Sequence, residues 1–172
     1  RWSLDIIEKL RPQIEADVPI VVLEPSCWAV FKDELTNILP NSQDAQRLQR
    51  NVHLLGAFLR EKAPGYRIPK LHRKALLHGH CHHKSLDRLN DKQFGELFNE
   101  KKVLEGMGVD FSIPESGCCG MAGAFGFESG EHYKVAVDCG ERVLIPKVRE
   151  AGEDELIIAD GFSCREQISQ MS

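Results

Sequence analysis

No run of apolar residues in this 172-residue chain approaches the ~20 that a bilayer-spanning helix needs, so nothing in it reads as a transmembrane segment. There is no excess of positive charge. The net charge of −4 speaks against a nucleic-acid binder, which shows a basic face. The opening stretch, RWSLDIIEKL, is charged and amphipathic and lacks the apolar centre of a secretory signal. Six cysteines are too few for a disulfide scaffold of this length. They point to a reducing compartment, where clustered cysteine means metal or redox chemistry. An initiator Met is also missing, and the chain starts directly on a helical pattern. An excised piece of a longer protein and a processed N-terminus would both look this way. What remains is the composition of a globular protein, 42% hydrophobic and 28% charged, with length for one sizeable core or two small ones.

The hydrophobic pattern alternates between helical and strand-like segments. Residues 2–15 place Trp2, Ile6, Ile7, Leu10 and Ile14 on one helical face. Pro19–Glu24 is a short apolar run rich in β-branched residues, suited to a buried parallel strand. The spacing predicts helices over 28–39, 44–62, 90–106 and 131–148, the last broken near Pro146. Further strands are predicted at KALLHGH (74–80), VDFSIP (109–114) and ELIIAD (155–160). This alternation indicates an α/β fold of short parallel sheets flanked by helices. PIVVLEPSC and ELIIADGFSC share one layout: apolar strand, acidic residue, small residues, Ser-Cys, helix. Two pseudo-repeated halves follow, with the first truncated: residues 1–70 the remnant of a first repeat plus a linking helix, residues 71–172 a second repeat.

Cys81, Cys118, Cys119 and Cys164 all fall in loops expected after strands. If those strands are neighbours in one parallel sheet, four sulfurs meet at its carboxyl edge, where open α/β sheets bind ligands. Four thiolates suit a soft metal centre, with an iron–sulfur cluster and zinc both open. The glycines of SGCCGMAGAFG gain a reason: Gly117, Gly120 and Gly123 let the backbone approach a bulky group and turn N–H groups toward it. His78, His80, His82 and His83 flank Cys81. That density invites a zinc reading completed by Cys118 and Cys119, but the usual C-x-x-C and H-x₃-H spacings are missing. The alternative makes His80, His82 and His83 neighbours of a cluster or of a quinone or flavin partner. His132 and Tyr133 face either the site or the surface. Cys139, in KVAVDCGERVL, reads as a structural helix cysteine.

HGHCHHKSL, CCGMAGAFGFE and ADGFSCREQI together resemble the CCG-type cysteine-rich domain found in heterodisulfide reductase and in the glycolate oxidase iron–sulfur subunit. The wording is most similar to the C-terminal part of fused FAD-linked 2-hydroxyacid oxidases. The resemblance runs from about Pro19 onward, and LEPSC looks like the end of a first repeat. The 36 residues from His82 to Gly117 fit the family's spacing. The last motif departs from it, since Gly161 stands where the family's C-x-x-C has its first cysteine. The resemblance implies Cys81, Cys118, Cys119 and Cys164 as ligands of a [4Fe-4S] cluster, with Cys27 a further candidate. It implies an electron-transfer domain of an FAD-linked glycolate- or D-lactate-type dehydrogenase. FAD would be held in a partner or upstream domain, and electrons would pass to a quinone or cytochrome. The setting would be cytoplasmic, with peripheral membrane association allowed, and the isolated chain could be apo or zinc-loaded. Two other readings stand beside it: a thiol–disulfide reductase of heterodisulfide type, which four rather than five cysteines makes doubtful, and a zinc-binding structural module.

Overall fold

The computed structural model describes residues 2–89 and 96–172, apart from the side chains of residues 87, 88, 89 and 96. The chain is mixed α/β and divides into two compact units, Arg1–Tyr66 and Arg67–Ser172.

In the first unit, helix α1 (Trp2–Glu15) buries Ile7 and Ile14. Strand β1 (Ile20–Val22) leads into α2 (Pro25–Ala29), whose Pro25 stands at the first helical turn, where a missing N–H is harmless. A π-helical turn (Val30–Glu34) and α3 (Leu35–Ile38) continue the helical path. Ser42 caps α4 (Gln43–Asn51), its hydroxyl accepting from the Ala45 N–H at 3.2 Å. Ile7, Ile14, Leu35, Ala45 and Leu48 form the core.

The single helix expected over 44–62 is corrected here. The chain leaves α4 at Val52, forms strand β2 (Val52–Leu54), and resumes as α5 (Leu55–Glu61). β2 lies parallel to β1, Ile20 opposite Val52 and Val22 opposite Leu54. Val52, His53 and Leu54 are all buried. Pairing with β1 thus buries three successive residues, which one helical face cannot do, and it overrides the helical spacing.

In the second unit, β3 (Lys74–Leu77) is the centre of a three-stranded parallel sheet, flanked by β4 (Asp110–Ser112) and β5 (Leu156–Ile158). Ala75 and Leu77 pack with Leu104 and Val109, while Leu76 packs with Met121, Leu144, Ile145 and Ile168. A strand buried on both faces has to be continuously apolar, which is why ALL reads as it does. β3 feeds α6 (Cys81–Leu89); α7 (Glu96–Met107) precedes β4. The loop after β4 ends in a 3₁₀ turn (Phe125–Phe127), followed by α8 (Glu131–Glu141), α9 (Leu144–Glu150), β5 and α10 (Phe162–Met171). The predicted helix over 90–106 has residues 90–95 outside the described residues; the rest corresponds to α7. The break expected near Pro146 falls at Arg142–Val143 instead. Pro146 sits in the first turn of α9, where its missing donor costs no helical hydrogen bond. Among the described residues no helix is long and apolar enough to cross a membrane.

Candidate metal centre

Because β3, β4 and β5 run parallel, their carboxyl ends share one edge of the sheet. Cys81 begins α6 just beyond β3, Cys118 and Cys119 lie in the loop after β4, and Cys164 stands in the first turn of α10 beyond β5. The four side chains meet as a row: Cys81 contacts Cys118, Cys118 contacts Cys119, and Cys119 contacts Cys164. Cys119 and Cys164 are embedded among Leu76, Met121, Leu144, Ile145 and Ile168, whereas Cys81 and Cys118 are half-buried. Cys27 belongs to the first unit, as the third residue of α2, and is exposed.

Protons are unevenly held along the row. Hydrogen bonds from Cys119 and Cys81 push the Cys118 thiol far below its ordinary value, helped by the N–H groups of Gly120 and Ala122. Cys164 is lowered to about 3, first by Cys119 and then by His78 and His80, against the opposing effect of burial. Cys119 is pushed far up because it donates to Cys118 and Cys164, and Cys81 because it donates to Cys118. Cys118 and Cys164 therefore release their protons more readily than Cys81 and Cys119 do. A metal held by all four sulfurs would have to displace protons, most of all those of Cys81 and Cys119.

The loop is shaped for this. The Gly120 N–H points at Cys118 Sγ, 3.3 Å away. Gly120 has φ +101°, and a Cβ there would come 2.1 Å from the Ala136 carbonyl oxygen of α8. Only glycine permits both the conformation and the contact. Gly123 also has positive φ (+68°), and Ala122 shares that region at +44°. Gly117 is exposed, and a Cβ there would meet no protein atom within 4 Å.

Histidines line the row. His80 Nδ1 accepts from the His82 N–H at 3.2 Å and lies 3.9 Å from Cys81 Sγ. An accepting Nδ1 leaves the ring proton on Nε2, on the side of Gly161 and Cys164. His78 Nδ1 is 3.0 Å from Ser116 Oγ, and the His78 ring also contacts Cys164. His83 is buried edge-on to His80, and burial lowers it to about 3. Gly161 now has a local reason: a Cβ at that position would stand 2.3 Å from His80 Cδ2. The imidazole takes the space a side chain at 161 would need. His132, exposed, pairs with Glu128 at 2.6 Å and stacks on Phe125; Tyr133 is exposed. Cys139 is a helix cysteine of α8 whose Sγ reaches the Cys118 carbonyl at 3.7 Å.

Sequence reasoning passed over Lys84. Its Nζ donates to the carbonyls of Ser116 (2.5 Å) and Gly117 (3.3 Å), tying α6 to the cysteine loop. It places a cation beside Cys81, Cys164 and Cys118, whose charges offset the lowering of its pKa by burial. Its position one turn after Cys81 was the available signal. Arg142 was also missed; it lines a cavity of about 170 Å³ with Cys118 and Cys139.

The donor chemistry fits a soft metal centre: four sulfurs, two of them with lowered thiols, backbone N–H groups aimed at Cys118, and a glycine where a Cβ would crowd the wall. A single zinc, with Zn–S of about 2.3 Å, draws its sulfurs within about 4 Å of one another. Among the described residues, the trios with all ligand atoms within 4.8 Å are His80–Cys81–His82 and His83–Glu100–Asp160, neither made of sulfurs alone.

Comparison with known proteins gives sequence relatives only. The chain is 25% identical over 172 residues to one of the subunits of the anaerobic glycerol-3-phosphate dehydrogenase of Escherichia coli, covering 98% of this chain and 40% of that protein. It is 26% identical over 164 residues to a D-2-hydroxyglutarate dehydrogenase of Pseudomonas putida, covering 95% of this chain and 15% of that protein. A D-2-hydroxyglutarate dehydrogenase of Haemophilus influenzae matches at 26% over 176 residues, with 16% of its length covered. The chain thus spans less than half the length of these curated relatives. No family model and no solved structure matches it.

Proposed function

We propose that this chain is an iron–sulfur electron-transfer region of a flavin-linked dehydrogenase. Cys81, Cys118, Cys119 and Cys164 would hold one [4Fe-4S] cluster, which supplies one-electron transfer when bound. The observation that carries the reading is the row of four sulfurs delivered to one sheet edge by three parallel strands. The relatives' names, all dehydrogenases, support the same class of chemistry. By that reading the substrate is a 2-hydroxyacid of glycolate or D-lactate type or a comparable alcohol, oxidised on FAD in an upstream domain or partner. The acceptor is a quinone or cytochrome, met in the cytoplasm or at a membrane surface. Residues 1–70 then carry the closing part of a first repeat and residues 71–172 a second, Cys27 being the first repeat's counterpart of Cys164.

The chain's own residues have defined tasks. The apolar wall of Leu76, Met121 and Ile168 excludes water from Cys119 and Cys164. The N–H groups of Gly120 and Ala122 stabilise negative charge on Cys118. Lys84 neutralises part of the thiolate charge and holds the loop. His80 presents its Nε2–H toward Cys164.

Anaerobic reconstitution tests this. It should give a broad charge-transfer absorption and about four iron per chain. A colourless protein that takes up zinc but no iron would overturn it. The lowered thiol of Cys118 favours a second reading, thiol–disulfide exchange. That reading requires the metal-free chain to reduce a small disulfide through Cys118, and the first does not.

A further inference from the structure

A second donor set, of nitrogen and oxygen rather than sulfur, lies beside the sulfur row. His83 on α6, Glu100 on α7 and Asp160 after β5 each offer one ligand atom, all within 4.8 Å of one another. His83 is 1% exposed, and neither of its ring nitrogens has a hydrogen-bond partner. Glu100 Oε2, itself largely buried, lies 3.8 Å from Nδ1. A buried imidazole with no hydrogen-bond partner, one nitrogen of which faces a carboxylate, is costly unless something joins them. We propose that His83, Glu100 and Asp160 bind one divalent first-row cation of the Mn²⁺, Fe²⁺ or Zn²⁺ class, at a site separate from the four sulfurs.

The donor chemistry selects the ligand. One imidazole and two carboxylates form a nitrogen–oxygen set, which suits manganese, ferrous iron or zinc and is unlike the thiolates next to it. Ligands at 2.0–2.2 Å from a metal lie about 3–3.5 Å from one another, so the 3.8 Å gap closes with a small rotation of Glu100. The three residues come from separate elements, so a cation here would join α6, α7 and the β5–α10 connection. Without a cation the two carboxyl groups share a proton: burial, then Asp160, raises Glu100 to about 8. That proton-sharing pair is the rival explanation of the cluster.

Manganese titration of the reduced chain, followed by the electron paramagnetic resonance of free Mn²⁺, separates the two, because Mn²⁺ prefers oxygen and nitrogen donors and leaves thiols alone. The expected result is one bound Mn²⁺ per chain, displaced by Zn²⁺. Binding should weaken about tenfold or more in Glu100→Gln, Asp160→Asn and His83→Gln, and should persist in Cys118→Ser. Glu100→Gln mimics the protonated carboxyl, so its fold is preserved and loss of binding reads the ligand alone. No retained Mn²⁺, or retention that survives all three substitutions, would overturn the proposal. Neither result bears on iron uptake by the cysteines.

Discussion

Each unit sends a short parallel strand into a helix whose third residue is a cysteine. β1 leads to α2 with Cys27, and β5 leads to α10 with Cys164. Cys27 is exposed and Cys164 buried. The entry to α2 is closed by its own side chain: Glu24 accepts from the Ser26 N–H and, at 2.7 Å, from the Ser26 hydroxyl. The entry to α10 has no side-chain cap, because Gly161 gives way to His80. One local motif therefore serves two ends. In the first unit it is a self-contained helix start; in the second its cap is given up so that a neighbouring loop can approach the cysteine.

The largest test of that contrast compares the two cysteines. Cys164→Ser should lower reconstituted iron from about four per chain to less than half, with loss of the charge-transfer band, while Cys27→Ser should leave both unchanged. Next come two glycines of the cysteine loop. Gly120→Ala combines a left-handed backbone with a Cβ 2.1 Å from the Ala136 oxygen, and should lower unfolding stability by about 3 kcal/mol or more. Gly117→Ala meets open space and should stay within about 0.5 kcal/mol; denaturant unfolding measures both. Gly161→Ala forces His80 aside and should cost about 1–3 kcal/mol, with a His80→Ala background recovering most of it. The matching change in the first unit, Glu24→Ala, removes a cap worth about 1 kcal/mol.

The smallest effect is one of pH. Burial lowers His53 in β2 below its ordinary 6.5, so the unfolded chain binds the extra proton more readily. Its contribution to stability is full above pH 6.5 and is lost as the pH falls through 6.5 toward the folded value. His53→Leu should flatten that part of the stability profile. A wild-type and variant difference that does not change with pH would show that His53 is not held neutral.

Periodicity was enough to find most elements, including the three strands that carry the cysteines. It failed at 44–62, where Val52, Leu55 and Leu59 satisfy a helical period while Val52–Leu54 pairs with β1. It misplaced the break in 131–148, since a proline in a helix's first turn and one that ends a helix look alike in sequence. The cysteines stood out by residue type and by their places after strands. Lys84, Glu100 and Asp160 did not, because charged residues are common and only their neighbours make them unusual.

The sequence by itself determined the α/β alternation, the loops that hold Cys81, Cys118, Cys119 and Cys164, and the need for glycine beside them. Those features are local, set by hydrophobic period and backbone freedom. Tertiary structure alone decided the strand order β4–β3–β5 that lines up three loop ends on one edge. It also decided which sulfurs hold their protons less tightly, the imidazole in the space above Gly161, and the meeting of His83 with Glu100 and Asp160. Each of these depends on distances between residues far apart in the chain, which no local pattern encodes.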